Sequence, residues 1–67
     1  MDPKACLIAA SEALQDGNVY VARDALEDYW RWRDGDGFEP TMDDGRSGDA
    51  FAADLREEVL DAANPRY

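Results

Sequence analysis

The chain has 67 residues, 16 of them Asp or Glu against 7 Lys or Arg, for a formal charge of -9 at pH 7. With no His and one Cys, it cannot contain a Ser–His or Cys–His catalytic pair, an internal disulfide or a Cys-rich zinc site. The length allows one domain, and much of the hydrophobic fraction is alanine, so the core is small and a partner subunit would stabilise it.

Asp2 has the chemistry of a helix N-cap and Pro3 suits the first helical position, so a helix is predicted over about 3–15. Leu7, Ala10 and Leu14 share one face of it, with Cys6 and Ala13 alongside. Gly17 can adopt the left-handed conformation that ends a helix, and Asn18 can cap the next. A second helix is predicted over about 19–33, with Val19, Ala22, Leu26, Tyr29 and Arg33 in one stripe. So short a connection makes the pair an antiparallel hairpin. It has a tetratricopeptide-like look, but one hairpin is not a solenoid, which needs at least three units.

Asp34-Gly35-Asp36-Gly37 should stop the second helix. Phe38 to Met42 reads as extended, with Phe38 and Met42 folding back on the hairpin, and Asp43 to Gly48 as a polar turn or mobile loop. A third helix, capped by Ser47 or Asp49, is predicted over about 49–63. Its apolar face is Phe51, Ala52, Leu55, Val59 and Ala62, and Asn64-Pro65 stops it. The expected fold is therefore all-α: an antiparallel helical hairpin plus a C-terminal third helix, separated by the loop 34–48 and assembled as a homodimer.

Tyr29, Trp30 and Trp32 crowd the last turn of the second helix, with Phe38 just beyond. Positions 30 and 32 lie about 200° apart around a helix, so both indoles cannot face one small core. Either the returning loop covers the second indole, or it anchors a dimer or partner interface, where Trp, Tyr and Arg are enriched. On the second reading Leu26, Tyr29, Trp30, Trp32, Arg33 and Phe38 form the contact surface. Arg31 and Arg33 could stack on the rings.

The acids fall in two rows, Asp24, Glu27 and Asp28 on the second helix and Asp54, Glu57, Glu58 and Asp61 on the third. The second row places four carboxylates along about 10 Å of helix axis. Duplex DNA carries a phosphate about every 1.7 Å, so the row is sparser but of comparable order and could compete for a Lys/Arg surface. On these residues alone the row reads rather as a solvated face, partly neutralised by Arg23, Arg31 and Arg56. Such acidity disfavours direct binding of nucleic acid or an anionic membrane and favours a basic protein surface.

The loop 34–39 suggests calcium but misses the EF-hand spacing, since Phe38, Glu39 and Gly45 would occupy loop positions 5, 6 and 12. Gly35 and Gly37 follow no strand, which excludes a phosphate-binding motif. Cys6 sits among apolar residues and reads as a buried small hydrophobe rather than a nucleophile. No cofactor, metal or catalytic residue is expected. Met1-Asp2-Pro3 begins acidic and the apolar run 5–10 is short, so no signal peptide is expected and the location reads as cytoplasmic.

The stretch Ala25-Leu26-Glu27-Asp28-Tyr29-Trp30-Arg31-Trp32-Arg33, followed by Gly37-Phe38-Glu39-Pro40, resembles the small phage-encoded quorum-sensing anti-activators, over about 16 residues. That resemblance implies a small helical dimer in the host-cell cytoplasm. It would inhibit a LuxR-type transcriptional regulator and a pilus-assembly ATPase by binding them. Anti-CRISPR proteins are similar in size and charge, some of them imitating DNA. The expectation is thus a non-enzymatic inhibitor of a host protein, with a DNA mimic and a structural assembly protein as alternatives.

Overall fold

The computed structural model describes residues 2–63 and contains three helices, α1 (Pro3–Gln15), α2 (Val19–Asp34) and α3 (Gly48–Ala63). The proposed Asn64-Pro65 stop lies outside the described residues. Asp2 caps α1 through its side chain, which accepts from the Ala5 N–H at 3.2 Å, and Pro3 follows where no intrahelical donor is needed. At the other end Asn18 N–H donates to Ala13 C=O at 2.8 Å and Gly17 N–H to Leu14 C=O at 3.0 Å. With Gly17 at φ +80 this is a Schellman cap, which turns the chain straight into α2. The expected side-chain cap at Asn18 is not made; Asn18 contributes only its backbone carbonyl, to the Ala22 N–H.

α2 runs one residue past the predicted end. Its stop works differently from a simple glycine cap: the left-handed residue is Asp36, at φ +74. Gly37 is needed for close approach, because a Cβ there would overlap the Trp32 ring. The loop that follows is tied back on itself. Met42 N–H donates to Arg46 C=O at 2.8 Å, Gly48 N–H to Pro40 C=O at 2.7 Å, and Thr41 and Ser47 form an isolated antiparallel bridge. Ser47 Oγ accepts from the Ala50 N–H at 3.1 Å and so caps α3.

α1 and α2 pack closely as a hairpin and α3 lies against both. Arg33 and Tyr29 of α2 meet Asp49 at the start of α3, while Val19 and Tyr20 share a cleft with Ala62 and Ala63 at its end, so α2 and α3 are antiparallel. The core is Leu7, Ala10, Ala22, Leu26, Tyr29, Met42, Ala52, Leu55 and Val59, three of them alanines. Leu14 and Phe51 pack against this core as expected but stay half-buried. Two expectations are corrected: Ala62 is exposed, and Phe38 stays 69% exposed while Met42 alone folds in. A core this small covers only part of the apolar surface that the helices and the loop present to it.

Candidate protein-binding surfaces

The geometry at the end of α2 starts from one carboxylate. Asp49 accepts from Tyr29 Oη at 2.7 Å, Arg33 Nε at 2.9 Å and Arg33 Nη2 at 2.7 Å. Arg33 also donates from Nη1 to Gly37 C=O at 2.8 Å and lies 3.8 Å from Glu39. One planar guanidinium thus joins α2, the loop and α3. The paired guanidinium holds the Asp49 carboxyl below the usual carboxylate range, against the opposing effect of partial burial. Burial first, and the bond to Asp49 second, push the Tyr29 hydroxyl well above its ordinary value. The spacing of Tyr29 and Arg33 on one stripe is visible in the sequence. Their common partner is not, since Asp49 resembles any helix-capping acid.

This geometry divides the expected contact residues. Leu26 and Tyr29 are core, so their expected role in partner contact is corrected: neither can reach another molecule without unfolding the chain. Arg33 is likewise engaged internally. Neither indole is fully enclosed, both being half-buried. Trp30 lies edge-on to Tyr29, with ring centres 5.2 Å apart, and its buried indole N–H meets no acceptor among the described residues. Trp32 lies edge-on to Phe38 at 5.1 Å. The outward-facing member of that pair is Phe38. Tyr20 and Val21 at the start of α2 and Leu60 near the end of α3 are exposed as well.

The acidic rows are partly answered within the chain. Arg23 lies 3.9 Å from Glu27 and Arg31 lies 3.6 Å from Asp28, both exposed helical pairs of small energetic weight. Arg46 bridges Asp44 at 2.7 Å and Asp54 at 2.6 Å, and its guanidinium carbon lies 4.9 Å from the centre of the Phe51 ring. The Arg46 backbone N–H and then its side chain hold the Asp44 carboxyl below its ordinary range. Lys4 pairs with Asp43. Asp24, Glu57 and Glu58 have no ion-pair partner among the described residues.

The remaining chemistry is sparse. Cys6 donates its thiol to Ala25 C=O at 3.1 Å, and burial, with the nearby Asp28 charge as a smaller cause, pushes its pKa up, opposite to what a nucleophile needs. No group of three or more His, Cys, Asp or Glu side chains placed to hold a metal occurs among the described residues. No helix among them is long and apolar enough to cross a membrane. Comparison with protein-family models, curated proteins and solved structures finds no match.

Proposed function

We propose that this chain is a non-enzymatic inhibitor that binds a host regulatory protein and masks its working surface. Phe38 carries the reading: an aromatic ring 69% exposed yet braced edge-on against Trp32, on a loop fastened by Arg33. A large rigid ring held outward suits an interface anchor, because little rotamer freedom remains to be lost on binding. Trp32 supports it from α2, while Trp30, packed on Tyr29, lies on another side of that helix. Asp24 and the acids of α3 favour approach to a basic surface. Self-association into a homodimer belongs to the same reading. The resemblance of residues 25–33 and 37–40 to the phage anti-activators supplies the class of target, a LuxR-type transcriptional regulator.

The DNA-mimic alternative draws less support from this geometry. Within the two acidic rows Glu27, Asp28 and Asp54 are each paired with an arginine of the same chain, which interrupts both rows.

The test is operator binding by a purified LuxR-type regulator, measured with the chain present. Wild type should block it, and Phe38→Ser should abolish the block while the helical circular dichroism is unchanged. Full inhibition by Phe38→Ser, or none by wild type, overturns the reading. Light scattering at micromolar concentration tests the dimer.

A further inference from the structure

A cleft of about 670 Å³ opens between the second half of α1 and the middle of α3. Its apolar lining comes from Leu14, Phe51 and Leu55, the first two being the half-buried residues whose sequence spacing points them at the core. Asp54, Glu57 and Glu58 also line it, against one cation, Arg46. Arg46 is already engaged by Asp44 and Asp54, so the charge left unanswered there is that of Glu57 and Glu58.

We propose that this groove seats a basic amphipathic helix of a partner protein. One apolar side chain of that helix would rest on the half-buried Leu14 and Phe51, over the buried Leu55, and its flanking Lys or Arg residues would meet Glu57 and Glu58. Apolar anchors at helical spacing are what a groove between two helices recognises. The two glutamates select the charge of the incoming helix: adjacent in sequence, they point about 100° apart and span the groove edge. A second copy of this chain is a poor occupant, since its net charge of -9 would be brought against the same carboxylates. The inference rests on the protein-binding reading above but uses a different face from Phe38.

The probe is a synthetic 18-residue amphipathic Leu/Lys helix, titrated into ¹⁵N-labelled full-length chain at low salt. Two controls accompany it: the same composition scrambled to break the three-four spacing, and a Leu/Glu version. Saturable shifts at Leu14, Phe51, Leu55 and Glu58 with the Leu/Lys helix alone are expected. The double variant Glu57→Lys/Glu58→Lys, on exposed positions that leave folding intact, should weaken binding about tenfold or more. Four results overturn the proposal: no saturable binding, equal binding of the scrambled peptide, shifts centred on Phe38 or Tyr20, or concentration-dependent groove shifts without peptide, which would reveal self-association. If the groove fails while Phe38→Ser still abolishes inhibition, only the groove is lost. If Phe38→Ser has no effect while the groove binds, the aromatic anchor is lost.

Discussion

Asp49 is the side chain on which the contact between α2 and α3 turns, because it receives three hydrogen bonds from two α2 residues. Its lowered pKa sets the sign of an acid effect. The stabilisation is complete above the ordinary carboxylate value of about 3.9 and is lost as pH falls through the lower folded-state value. Tyr29 acts at the other extreme: its raised pKa means stability complete below about pH 10 and lost as pH rises further. Asp49→Asn should lower the thermal midpoint at pH 7 and flatten its decline below pH 4, as read by circular dichroism across a pH series. An unchanged acid limb would remove Asp49 from this role. Gly48, one residue earlier, is required for a different reason. A Cβ there would stand 2.6 Å from the Pro40 ring and 2.8 Å from Tyr29 Oη. Gly48→Ala should cost about 1–3 kcal/mol in urea unfolding, the range of an overpacked core site, although alanine is the better helix former.

At the scale of the helices, the ends differ in how firmly they are specified. α1 has a side-chain cap at Asp2 and a left-handed glycine at Gly17, whereas α2 begins with no side-chain cap. Asp2→Ala should therefore cost about 1 kcal/mol. Gly17→Ala should cost about 1–2 kcal/mol, since a Cβ is disfavoured at φ +80 even though space is open there. Asn18→Ala should be close to neutral. Equal losses at Asp2 and Asn18 in chemical denaturation would contradict this assignment. The loop 35–47 behaves as a small element in its own right. Its order comes from the Met42–Arg46 and Pro40–Gly48 hydrogen bonds, the Gly37–Trp32 contact and the buried Met42, which tie it to itself and to the helix ends on either side.

Over the whole molecule a small core is opposed by a large net charge. The alanine-rich core contributes modest burial, and -9 on 67 residues adds self-repulsion that compact folding intensifies. The surface pairs, such as Arg23–Glu27 and Arg31–Asp28, are long and exposed and offset little of it. Added sodium chloride should therefore raise the thermal midpoint by a few degrees between about 10 and 300 mM, by shortening the screening length. A midpoint that falls with salt would show that the arginine pairs outweigh the repulsion. The same charge governs encounter, so association with a basic partner should slow as salt rises even while the free chain becomes more stable.

Three helices and their approximate limits were legible in the residues, because Asp2, Pro3, Gly17 and the Ala22–Leu26–Tyr29 stripe act within a few positions of themselves. The aromatic crowding at Trp30, Trp32 and Phe38 was legible too, as an excess that one small core could not absorb. Which of those rings faces outward was not, nor which carboxylate would hold Tyr29 and Arg33. Those outcomes depend on contacts between distant positions: Tyr29 with Asp49 across 20 residues, and Arg33 with the same carboxylate across 16. A carboxylate that caps a helix and one that clamps two helices together are identical in sequence; only the packing of α3 against α2 brings the guanidinium and hydroxyl to it. The groove likewise exists because α1 and α3 leave Leu14 and Phe51 half-covered, a consequence of how helices meet rather than of the pattern along either one.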